Sequence, residues 1–175
     1  MITITPINLE QVENLIAHIP GTVEKATKNS VRQTLKDARR EIISKVKARY
    51  TSPISLFTQS LKVKSSGLTG EIKSVGAKNP LEKFKVSPKH RITGRGRYLK
   101  AVVIQGQGGI LERAFMKSTS MSIFERVGAS RFPIHKLKSV AAPSMLNVEQ
   151  VREPVLNLIE RQFQNHFISE VNKFL

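Results

Sequence analysis

The chain has 175 residues and no cysteine, with 29 Lys and Arg against 13 Asp and Glu, a formal charge of +16. The length fits one domain, or one domain with an extended arm, and the lack of cysteine excludes disulfides, iron–sulfur clusters, thiolate zinc sites and a cysteine nucleophile. The basic excess points to an acidic partner (nucleic acid, membrane surface or acidic protein) without choosing among them.

Apolar residues make up 39%, below the roughly 45–50% of ordinary globular chains, so much of the chain is expected on the surface or against partners. There is no Trp and there are two Tyr, which makes rigid stacking platforms for bases scarce. The opening "MITITPINLEQ" has no basic segment followed by an apolar run, so no secretory leader is expected. No apolar stretch approaches the roughly 18 residues of a membrane span, and a soluble protein with no membrane partner is expected.

In chain order, the first expected helix has Asn8 as N-cap and an apolar stripe of Leu9, Val12, Leu15, Ile16 and Ile19, ended by Pro20-Gly21. A longer helix follows, from about Thr22 to Tyr50. Val23, Ala26, Ser30, Val31, Leu35, Ala38, Ile42 and Val46 recur at three- and four-residue steps, and Lys25, Lys28, Arg32, Lys36 and Arg40 mark the opposite face. At 1.5 Å per residue it measures about 45 Å. It reads either as a helix spanning an assembly or as an ordinary amphipathic helix with a solvated basic face. A short turn of helix is expected next, with Ser52 capping and Pro53 at the first helical position.

"TQSLKVKSSGLTGEIKSVG" reads as a hairpin: Leu61 and Val63 alternate with lysines, "SSG" turns, and Ile72 and Val75 line the return strand. "NPLEKF" is at most a short helical turn. Residues 85–100 have no period and no acid, but hold Lys85, Lys89, Arg91, Arg95, Arg97 and Lys100 among Pro88, Gly94 and Gly96, so a mobile basic loop is expected. "LKAVVIQGQ", "GGILERAFM" and "MSIFERVG" are strand-like, the last two joined by "KSTS". "RFPIHKLKSVAAPSML" begins as a strand, stalls in small residues and meets Pro143. The final helix starts with Asn147 and Gln150 spaced as a capping box. It presents Val151, Val155, Leu158, Ile159, Phe163, Phe167, Val171 and Phe174, with Pro154 as a kink or the true first turn.

The order helix, strands, helix reads as an α+β fold. The long N-terminal helix and the C-terminal helix are expected to pack on a mainly antiparallel sheet in a single domain of residues 1–175, with 1–20 as an N-terminal helical arm.

No reaction has an address in this pattern. His18, His90, His135 and His166 fall in no ligand pair. Glu112 and Glu125, in two strand-like segments, could do acid–base work side by side, but each precedes an Arg and reads as a surface ion pair. "GQGG" and "TGRGRY" lack the spacing and context of phosphate-binding loops, and no serine sits in a GxSxG elbow. A non-enzyme with no metal and no cofactor is expected. The basic loop could follow a phosphate backbone, meet an acidic protein neighbour, or be simply solvated.

From about Ala38 onward the order of features resembles the minor tail protein Z family of tailed bacteriophages, tail completion proteins of the head-proximal end of the tail. The resemblance is carried by "ARREIISKVKARYTSPIS", by "GEIKSVGAKNPLEKF", by "AVVIQGQG", and above all by "AFM…IFERVG…RFPIHKL…APSM". Ala114-Phe115, Arg126, Pro133-Ile134 and Pro143-Ser144 match the family's order. Ala142 stands where the family often has Gly, and residues 1–37 and 85–100 match weakly.

The resemblance implies a non-enzymatic virion component. It would be assembled in the host cytoplasm as a homo-oligomer, a hexameric ring, between the tail terminator and head connector proteins, with contact to packaged DNA an open point. Phe132, Pro133, Ile134, Leu137 and Pro143 are then candidates for the subunit interface, or else for the chain's own last core strand and a proline-rich loop. A standalone basic nucleic-acid-binding protein is the alternative.

Overall fold

A computed structural model describes residues 2–4, 21–92, 97–117 and 121–173. The first expected helix, Gly94, Arg95, most of the "KSTS" connection and Phe174 lie outside them. The elements in chain order are β1 (Ile2–Ile4), α1 (Thr22–Arg49), α2 (Ile54–Ser60), β2 (Leu61–Ser66), β3 (Thr69–Ser74), β4 (Lys78–Pro80), a 3₁₀ turn (Leu81–Lys83) and β5 (Lys85–Ser87). They continue with β6 (Leu99–Ile104), β7 (Gln107–Leu111), β8 (Ala114–Met116), β9 (Ile123–Arg126), β10 (Ile134–Lys136), β11 (Lys138–Ala141), α3 (Ala142–Asn147) and α4 (Glu149–Val171). This is the expected α+β class. The strands pair antiparallel, and they form four small sheets in place of one. Among the described residues no strand exceeds six residues, because glycine turns and prolines interrupt each apolar run before a wide sheet can grow.

All eight positions of the expected α1 stripe are buried, joined by Thr22, Thr27 and Thr34. Thr27 and Ser30 donate their hydroxyls to the carbonyls of Val23 (2.8 Å) and Ala26 (2.7 Å), one turn back, which satisfies polar atoms that burial would otherwise penalise. Gly21 precedes the helix at φ 80, a backbone conformation that costs glycine little. At the other end the orphan carbonyls find donors in the β6–β7 turn: Gln105 N–H bonds Arg49 O (2.7 Å) and Gln105 Nε2 bonds Lys47 O (3.0 Å). Thr51 N–H donates to Val103 O at 3.1 Å, and its hydroxyl donates to Val102 O. The C-terminus of α1 is thereby tied to the sheet of β5, β6 and β7.

Pro53 is the N-cap of α2, and no side chain caps this helix, so Ser52 does not play the capping role expected of it. The hairpin forms as expected, with Leu61 opposite Ser74 and Val63 opposite Ile72. β1 adds to the other edge of β3, with Ile2 opposite Ile72. Ile72 is fully buried, whereas Val75 lies beyond the strand and is exposed. Gly70, the second residue of β3, lies against Leu35 of α1.

The 85–100 segment is not a loop throughout. Lys85 lies in β5 opposite Val102, and Lys100 lies in β6 opposite Ser87. Val86, Leu99 and Ala101 are buried. The apolar residues missing from the basic stretch's own pattern are thus supplied by alternation with its lysines.

Glu112 and Glu125 are not neighbours. Glu112 is exposed in the turn between β7 and β8, and Ala114 stands opposite Glu125. Asn147 is the last residue of α3, and Val148, with no side-chain cap, starts α4, so there is no Asn147–Gln150 capping box. α4 continues through Pro154 to Val171.

α4 runs antiparallel to α1. Val151, Val155 and Ile159 are buried, while Phe163 is only partly buried against the core. The last turns meet α1 through polar groups. Glu170, 4% exposed, accepts hydrogen bonds from Asn29 Nδ2 (2.9 Å) and Gln33 Nε2 (3.1 Å) and a further one from Lys173. His166 Nε2 lies 2.8 Å from Asp37 Oδ2. The bonds from Lys173 and then Asn29 outweigh burial and hold the Glu170 carboxyl below its ordinary range.

Candidate functional site

Three short strands, β8, β9 and β10, form a sheet in the order β10-β9-β8. Phe115 stands opposite Phe124, and Arg126 opposite Ile134. Since side chains alternate along a strand, Phe115, Phe124, Arg126 and Ile134 share one face. The Phe115 and Phe124 rings stack with centroids 6.2 Å apart, and the Arg126 guanidinium lies 5.7 Å over the Phe115 ring. In the segment between β9 and β10, Arg131 lies 5.8 Å over the Phe132 ring. Both pairs have cation–π geometry.

These groups edge a groove of about 430 Å³, within the size range of small-ligand sites, about 300–1,000 Å³. Arg91, Lys117, Arg126 and Arg131 supply its charge; Ile92, Phe115, Met116, Phe132 and Ile134 supply its apolar surface. Among the described residues no carboxylate lines it. Among the described residues none of the four cations has an ion-pair partner, whereas the nearby acids do. Glu125 is 3.6 Å from His135, and Glu82 is 2.6 Å from Lys136.

Burial pushes the Glu82 carboxyl up, but the bonds from Lys136 and Ser122 and one to backbone together hold it below its ordinary range. Glu82 therefore stays ionised and keeps Lys136 engaged, locking β10 to the 3₁₀ turn. The unpaired cations of the groove repel one another and gain by admitting an anion.

Of the expected contact residues that are described, Arg91 lines this groove and Lys85, Lys89, Arg97 and Lys100 do not. Lys89 and Arg97 are exposed beside it in sequence, Lys85 and Lys100 share the solvent face of the β5–β6 pair, and Arg95 lies outside the described residues.

The expected interface residues divide. Phe132, 65% exposed, and Ile134 line the groove, and Pro133 between them is exposed. Leu137 packs on the core, its N–H bonding Ile123 O (2.9 Å) and its carbonyl accepting from Leu81 N–H (3.0 Å). Pro143 lies in the first turn of α3.

Sequence reasoning missed Phe115, Met116, Lys117 and Arg131 as a set. The one available signal was an arginine next to an aromatic, in "RF". Glu125 and Arg126 read as an ion pair; in the structure Glu125 turns to His135 and Arg126 to Phe115.

No protein-family model, characterised protein or solved structure matches the chain. Among the described residues no helix is long and apolar enough to cross a membrane, and no group of three or more His, Cys, Asp or Glu is placed to hold a metal ion.

Proposed function

We propose that this chain is a non-enzymatic structural component of a phage tail, completing its head-proximal end and joining it to the head connector as a homo-oligomeric, hexameric ring. One observation carries the reading. The block with the most specific resemblance is gathered by β8, β9 and β10, which bring Ala114-Phe115, Arg126 and Ile134 to one sheet, while β11, paired with β4, leads on to Pro143-Ser144 in α3. A segment kept for joining would present an exposed, charged edge of this kind while anchoring itself to the core, as Leu137 does. The charge of +16 would let it dock on acidic faces of its neighbours.

The test is epitope tagging of the chain in particles and fractionation of tails. Tagged chain at one end of each tail, and a ring-sized species of the purified protein, are expected. A chain that is monomeric and absent from tails overturns the proposal.

The groove favours a second reading, a standalone nucleic-acid-binding protein, because its unpaired cations attract polyanions. That reading requires a monomer whose DNA affinity falls steeply with salt.

A further inference from the structure

The groove between β8, β9, β10 and residues 91–92 has a composition that neither tail joining nor general basicity requires. Charge for a neighbour or a duplex backbone needs only exposed lysines and arginines, which the chain has on most faces. Here four cations with no ion-pair partner among the described residues line one concavity with two phenylalanine rings. Each ring is already flanked by a guanidinium, Phe115 by Arg126 and Phe132 by Arg131. We propose that this groove is a binding site for unpaired nucleotides of a single-stranded nucleic acid, with a base stacked on Phe132 and the adjoining phosphates held by Arg126, Arg131, Arg91 and Lys117.

Three features select that occupant. A single strand offers both a π face and a phosphate per residue, and stacking platforms in a positive groove are how proteins hold one. In a duplex the bases are stacked inside, so Phe132, Ile92 and Ile134 would have nothing apolar to cover. An acidic peptide could meet the cations, but its carboxylates offer no π face for the exposed Phe132 ring to stack on. Every base has a π face, so holding one by stacking makes binding tolerant of sequence. The volume of about 430 Å³ suits a short piece of strand. Four phosphate contacts set an upper salt slope of about −3 for log affinity against log salt.

The experiment is fluorescence anisotropy of the purified full chain with a labelled oligothymidylate, against a labelled duplex of equal length at matched salt. Binding by isolated chains needs no ring, so failure here leaves the tail reading standing, and failure of tail incorporation leaves this one standing. The single strand is expected to bind tighter than the duplex. Phe132→Ala should weaken it about 5- to 150-fold with the duplex unaffected, while Phe132→Trp, which keeps a π face, should retain binding. Arg126→Ser and Arg131→Ser should each flatten the salt slope by about 0.7. Unchanged melting of each variant serves as the folding control, as expected for side chains this exposed. Equal or tighter duplex binding, wild-type affinity in Phe132→Ala, or displacement of the oligothymidylate by polyglutamate at equal charge overturns the proposal.

Discussion

Gly70 lies against Leu35 where the long helix meets the sheet beside it, and adding one methyl group there tests the packing. It is buried on β3 with Ile4 and Ser65 opposite it on the two neighbouring strands. A Cβ at this position would stand 2.8 Å from Leu35 Cδ1 and 3.0 Å from both Cγ and Cδ2. Ordinary carbon–carbon contact is about 3.5–4.0 Å, so the overlap is roughly half an ångström or more at three atoms. A rotamer change moves the Leu35 methyls but leaves Cγ nearly in place unless χ1 also turns, and at 3% exposure the side chain has no solvent side to enter. Overpacking of this kind costs about 1–3 kcal/mol. For a chain of this size each kcal/mol lowers Tm by about 2–4 °C, so Gly70→Ala should melt about 2–12 °C below wild type. Leu35→Ala alone should cost about 2–5 kcal/mol through the void it leaves. In the double variant the new methyl enters that void, and the combined loss should fall short of the sum by about 1–2 kcal/mol. Urea denaturation of the four proteins reads the cycle directly. A Gly70→Ala protein as stable as wild type, or strictly additive losses, would refute the claim that α1 is seated on β3 through this contact.

Ile42→Asp should abolish soluble folding, because Ile42 is fully buried in α1 and an unpaired charge there is costly; Phe163→Asp, at a partly buried site, should leave a soluble protein with a lowered melting temperature, and equal effects at the two sites would contradict the burial pattern. The Glu170 carboxyl is held below its ordinary 4.5, so the stability it contributes is present above pH 4.5 and lost as pH falls through the folded value. The stability gap between wild type and Glu170→Gln should accordingly be widest near neutrality and close on acidification, and a gap that widens in acid would show that another group dominates. Arg91→Ser with Arg97→Ser should leave urea stability within about 0.5 kcal/mol of wild type, as for exposed sites, while lowering affinity for heparin at low salt; a large loss of stability would mean that these side chains hold the fold.

The long helix was legible residue by residue in the sequence, because a 3.6-residue period over 28 residues is a local property that needs no partner to be read. The β2–β3 hairpin was legible for the same reason, its turn and alternation lying within fourteen residues. The end of α4 was not: residue type marks Phe163 and Phe167 as core and the charged Glu170 as surface, yet Glu170 is buried because Asn29 and Gln33, about 140 positions earlier, reach it. The basic stretch showed the same limit. Its composition announced charge, but strand pairing with residues 100–102 decided that Lys85 and Lys100 belong to a sheet, and of its described cations only Arg91 lines the groove. The groove itself is wholly tertiary. Phe115, Arg126 and Phe132 carry no shared period, and they meet because one antiparallel register sets Phe115 against Phe124 and Arg126 against Ile134; shifting that register by one residue would send the same side chains to opposite faces.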